Sequence, residues 1–154
     1  MIKSTFGNEK IVFIDINYII NNSGAGKTIL DNLTKSHEKN KKELELKKKD
    51  LQNKEKEIKK TSNVISKEDL NKKIELFKIE VKDFNQLQNK MDKDFAYIKN
   101  TQMKNLMKKI NPLIEKYMTE NSIDLILKKD DIFIAKESIN ISESILKLIN
   151  ENIK

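Results

Sequence analysis

The sequence has no arginine: all 31 of its basic residues are lysine, set against 24 acidic ones. Arg makes planar, bidentate and stacking contacts that the compact charge of Lys does not reproduce. Specific base readout and arginine-finger chemistry are therefore disfavoured, while a net charge of +7 keeps a diffuse attraction for acidic partners. Cysteine is also missing, which excludes disulfides and thiolate metal sites and leaves the compartment open. Glycine occurs 3 times, proline once and tryptophan never in 154 residues. So few turn formers beside 36% charged residues suit long helices better than a sandwich or a barrel. No apolar run approaches the roughly 20 residues that span a bilayer. The opening "MIKSTFGNEK" lacks the apolar core of a secretion signal. The chain is expected to be either cytosolic or a mature form whose signal has been removed.

What apolar material there is gathers in residues 11–20, 74–126 and 132–149, and residues 35–60 are almost bare of it. Residues 10–16, "KIVFIDI", are β-branched and aromatic and read as a strand. After Gly26 a seven-residue beat sets in, with Leu30, His37, Leu44, Leu51, Ile58 and Ile65 on one position. The partner position holds Leu33 and then Asn40, Lys47, Lys54 and Thr61, so the seam is one residue wide. A helix this thin and charged is one leg of an exposed coiled coil, not half of a globular core. Ser66 with Asp69 three residues on predicts a capped second helix, and a turn near residues 61–66 folds it back antiparallel. Its seam is richer, with Leu70, Ile74, Phe77, Val81, Phe84, Met91, Phe95 and Ile98, and shifts register beyond Lys99 to Met103, Leu106, Ile110, Leu113 and Tyr117. Pro112 is expected to kink this helix or to begin a new one. The tail resumes strand character in "IDLILK" and "DIFIA", and Ser142 reads as the N-cap of a short closing helix.

The fold class expected is α+β. A small β-containing head is built from residues 1–22 and 113–154, and a helical hairpin arm, residues 23–112, is inserted between them. A head this small is short of apolar area for a core of its own. Oligomerisation would supply the missing burial, with Ile11, Phe13, Leu125, Leu127 and Phe133 as candidates for head core and subunit contact.

"NNSGAGKTIL" raises the question of a phosphate-binding loop, because Gly26-Lys27-Thr28 follows a strand. The first glycine of that motif would fall at Asn21, and the chain offers too few strands for the parallel sheet such loops need. The alternative is local: Ser23 caps the long helix, and Gly24, Ala25 and Gly26 let its start press closely on the head. No nucleotide and no cofactor are expected. No nucleophile–base or carboxylate pair has a spacing that suggests catalysis, and His37 stands without a second His or Cys, so neither an enzyme nor a metal site is indicated.

In order along the chain, "KIVFIDINYIINNS", "AGKTILDNL", a Lys/Glu-rich hairpin, "INPLIEKY" and "IDLILKKDDIFIAKESINISESILKLI" resemble the Skp/OmpH family of periplasmic chaperones. The tail is the most specific part, with Asn140-Ile141-Ser142 placed like the family's start to its final helix; Asn111-Pro112 looks like its break between arm and head. The resemblance implies a periplasmic homotrimer whose heads assemble through small β elements. It implies three helical hairpins around a cavity that holds unfolded outer-membrane β-barrel proteins without ATP. The absence of Arg departs from any Arg-based lipopolysaccharide site in relatives.

Residues 35–60 carry 11 Lys against 6 Asp and Glu. Lys47, Lys48, Lys54, Lys59 and Lys60 are candidates for contact with a client or an anionic lipid surface. Two other readings compete. A cytosolic coiled-coil adaptor would bind a partner along the seam and protect no unfolded protein. A nonspecific nucleic-acid binder would show steep salt dependence, but the lysine-rich arm lacks interleaved aromatics for base stacking.

Overall fold

A computed structural model of the chain describes residues 9–153. The elements are β1 (Ile11–Ile14), α1 (Ile16–Asn22), α2 (Gly24–Thr61), α3 (Lys67–Glu120), β2 (Leu125–Lys128) and α4 (Ser142–Asn152). Short 3-10 turns lie at Lys129–Asp131 and Glu137–Ile139. A small sheet made by the two chain ends and a hairpin of long helices give the α+β class expected. The chain divides into two compact units, one up to Asn32 and from Thr101 onward, the other Leu33–Asn100.

In the unit of the chain ends, β1 and β2 pair in parallel, Ile11 opposite Leu125 and Phe13 opposite Leu127. The first strand is shorter than its apolar run suggests. It stops at Ile14, and Asp15 caps α1 by accepting a 2.8 Å hydrogen bond from the Tyr18 backbone N–H. The run "DINYII" is β-rich in composition but carries Ile16, Ile19 and Ile20 at helical spacing, and the cap decides the outcome. The core forms where Ile14, Ile19, Leu106, Ile110, Ile145 and Ile149 meet, drawing on β1, α1, α3 and α4. At about 1.5–3 kcal/mol for each side chain taken out of water, these six are the principal stabilising contact of the unit.

Ser142 does not cap α4 as expected; it lies buried at the helix start and ties both chain ends together. Its hydroxyl accepts from the Asp15 N–H at 2.8 Å and donates to the Asn140 side-chain carbonyl at 2.6 Å. The Asn140 oxygen also accepts from the Ser142 N–H, so it takes over the capping role.

Pro112 begins no new helix: α3 continues through it. Both Pro112 and Lys108, whose carbonyl loses its partner, are exposed, so water can satisfy the freed group and the usual interior penalty is reduced. "DIFIA" forms no strand among the described residues. That corrects the second tail strand expected there from its composition. β2 occupies one side of β1, and on the other the Ile141 N–H donates to the Phe13 carbonyl, with Asn140 bridged to Phe13. Phe133 and Ile134 are left fully or nearly fully exposed.

In the hairpin unit the connection spans residues 62–66, and Ser66 opens α3: its hydroxyl accepts from the Asp69 N–H at 3.1 Å and donates to the Asp69 carboxylate at 2.6 Å. Of residues 33–100, Leu33 is the one buried side chain. The seam is half-buried along Leu44, Leu51 and Ile58 on α2 and Ile74, Phe77, Phe84, Met91 and Phe95 on α3.

Candidate functional site

The stretch that resembled a phosphate loop is helical. α1 ends at Asn22 and α2 begins at Gly24, with Ser23 as the single residue between them. The backbone donors a phosphate would need are already engaged. The Gly26 N–H donates to the Ser23 hydroxyl (3.1 Å), the Lys27 N–H to the Ser23 carbonyl (2.9 Å) and the Gly24 N–H to the Asn150 side chain (2.9 Å). Thr28 turns its hydroxyl back onto the Gly24 carbonyl. Glycine is required at position 26, where a Cβ would sit 1.9 Å from the Ile20 carbonyl oxygen.

The five candidate residues of the head fall in two groups. Phe13 is buried within one copy of the chain. Ile11, Leu125, Leu127 and Phe133 are exposed, and the first three stand at paired positions of the two-stranded sheet. Beside them Lys129 reaches from the turn after β2 to the Asp15 carboxylate at 2.9 Å. This contact, with the Tyr18 N–H, holds the Asp15 carboxyl below its ordinary range, and the same pairing raises the Lys129 ammonium above its own. Tyr18 donates its hydroxyl to Glu143, which raises the phenol's pKa and joins α1 to α4. Asp15 with Lys129 and Tyr18 with Glu143 thus link elements from the two chain ends beside these strands.

The candidate lysines of the arm also separate. Lys54 crosses the hairpin to both oxygens of the Glu80 carboxylate, at 3.0 and 2.9 Å, and pairs with Asp50 on its own helix at 3.2 Å. Glu80 first and then Asp50 raise its pKa. Lys59 is paired with Glu55 one turn earlier, which lowers the Glu55 carboxyl. Lys47, Lys48 and Lys60 make no ion pair within 4 Å among the described residues. Lys54 is therefore engaged in ion pairs within the hairpin itself.

The seam opens into hollows between the helices. One of about 280 Å³ is lined by His37, Leu44, Phe84, Met91 and Phe95, with the His37 and Phe95 rings 5.4 Å apart. Among the described residues no group of three or more His, Cys, Asp or Glu is placed to hold a metal ion, and no helix is long and apolar enough to cross a membrane. The surface therefore offers two kinds of chemistry. One is apolar strand edge and loop at the chain ends; the other is a loosely closed, lysine-bearing hairpin.

The model of the outer membrane protein (OmpH-like) family matches residues 10–149. The chain belongs to that family. A search of curated protein sequences finds no match. The crystal structure of an outer membrane chaperone candidate (OmpH-like) from Caulobacter crescentus superposes with a TM-score of 0.83 at 13% sequence identity, covering 96% of this chain and 88% of that one. At that identity the likeness is one of fold.

Proposed function

We propose that this member of the OmpH-like family is a chaperone of the holdase type, acting without ATP in the periplasm on unfolded outer-membrane β-barrel proteins. The observation that carries the reading is the family match across residues 10–149, which takes in both chain ends and the hairpin as one pattern. The likeness in fold to an outer membrane chaperone candidate supports it.

The physical arrangement is consistent with that role. A sheet of two strands is marginal alone. Here it exposes Ile11, Leu125 and Leu127 and is followed by the exposed pair Phe133 and Ile134. Joining copies through these residues would bury them, and three copies would bring three hairpins around one cavity. Lysines on those hairpins would draw in an acidic unfolded chain by a long-range field, and many weak contacts would hold it without fixing its sequence. Anionic lipid surfaces are a second class of partner for the same lysines, Lys59 and Lys60 lying nearest the turn. No residue is assigned a catalytic role.

The test is light scattering from a urea-unfolded outer-membrane β-barrel protein diluted into buffer without nucleotide. Aggregation is expected to fall in proportion to added protein and to be suppressed near one assembled chaperone per client, with weaker suppression at high salt. No suppression at several-fold excess would refute the reading and favour a coiled-coil adaptor.

A further inference from the structure

Cysteine is absent, so the soft, oxidisable sulfur of the chain is the thioether of methionine. Met91, Met103, Met107 and Met118 all lie on α3 and are all half-buried. The last three belong to the unit of the chain ends, where Met107 packs against the buried core. Met91 belongs to the hairpin unit, whose seam is thin. It lines two open hollows at once, one of about 280 Å³ and one of about 310 Å³, which share Asn40, Met91 and Phe95. Helical spacing puts their remaining walls on opposite flanks of the seam, Leu44 and Gln88 in the first, Leu87 and Ile98 in the second. None of the other three methionines lines either hollow. Met91 is thus reachable from both flanks. Asn40, its companion on α2, occupies a position where the heptad beat lacks an apolar side chain.

We infer that Met91 is an oxidation-sensitive point of the hairpin, and that conversion of its thioether to the sulfoxide by a peroxide loosens the seam around Asn40 and Phe95. With hydrogen peroxide the sulfur lone pair attacks one peroxide oxygen. An S–O bond forms as the O–O bond breaks, sulfur gives up two electrons, and the departing oxygen takes the remaining proton and leaves as water. Before the step a flexible apolar side chain fills the seam beside Phe84 and Phe95, and sulfur packs favourably against aromatic rings. After it the side chain is polar, and its new oxygen needs a hydrogen-bond donor. Water in either hollow and the Asn40 amide are the donors at hand. The sulfoxide is therefore accommodated without unfolding the chain, but the apolar contact across the seam is lost. Little else holds the helices together at this level, since Leu33 is the one buried side chain of residues 33–100. The change is of a kind that sulfoxide reductases reverse. Neither the reaction nor the loosening requires the holdase reading.

The test treats the full chain with hydrogen peroxide and follows each methionine by peptide mass spectrometry. In the folded protein Met91 is expected to oxidise several-fold faster than Met103, Met107 and Met118, and in urea the four rates are expected to converge. Equal rates in the folded protein would overturn the assignment. So would a preference that persists in urea, because it would come from local sequence and not from the hollows. Hydrogen exchange then reads the consequence. Amides of residues 88–95 are expected to exchange several-fold faster once Met91 is oxidised, and to be unchanged by the same treatment in Met91→Leu, a swap of similar volume that keeps the fold. Unchanged exchange in the oxidised natural chain, or an equal rise in Met91→Leu, would contradict the proposed loosening.

Discussion

Gly26 marks the point where one missing Cβ lets the start of α2 press closely on the end of α1. Helix propensity alone favours alanine there by about 1 kcal/mol. The added carbon would meet the Ile20 carbonyl oxygen at 1.9 Å and the Ser23 hydroxyl at 2.8 Å, and neither is the free end of a flexible side chain. Gly26→Ala is therefore expected to destabilise the protein by about 1–3 kcal/mol, read as a lower midpoint in thermal unfolding by circular dichroism. An unchanged or raised midpoint would show that the helix start can shift at no cost. This need for space was legible in the sequence, since a small-residue run after a capping serine has few other uses. The change from strand to helix at Asp15 was not. β-branched residues dominate that run, and only the bond from the Tyr18 N–H reveals that Asp15 ends the strand by starting a helix. Ser142 was misread for a related reason: its sequence position suits a cap, but the Asp15 N–H claims its hydroxyl from the far end of the chain.

Among the elements, periodicity was the most informative signal. The heptad beat from Leu30 to Ile58 and the Phe-rich seam of α3 appear in the structure as a hairpin, because local spacing determines which side of each helix is apolar. "DIFIA" has the composition of a strand but forms none among the described residues, and Pro112 is tolerated inside α3 where the freed carbonyl faces water. The thin seam has a dynamic consequence. With Leu33 the one buried residue in 33–100, the hairpin unit holds its backbone hydrogen bonds with little apolar cover, whereas Leu106 and Ile110 sit in the core of the end unit. Native-state hydrogen exchange is expected to show amides of residues 40–95 opening faster, by tenfold or more, than those of residues 106–110. Equal protection would mean that the hairpin is stiffer than its packing indicates.

For the whole molecule, the order of patterns along the chain carried more than any single motif. Strand, hairpin and two-part tail in sequence were enough to indicate a family, and the family model spans the same range. The candidate surfaces were legible in part. Ile11, Leu125 and Leu127 could be picked as strand residues before their pairing was known, but which of them stay exposed in one copy needed the structure. The core residues Ile19, Ile145 and Ile149 went unselected as a group because they come from opposite ends of the chain. What unites the proposed behaviour is assembly, since one copy leaves Phe133 and Ile134 in water. Sedimentation equilibrium at micromolar concentration tests this most directly. The account predicts a species of three times the chain mass of 18.0 kDa, shifted toward smaller species by Phe133→Ser. A single species at the mass of one chain would contradict it.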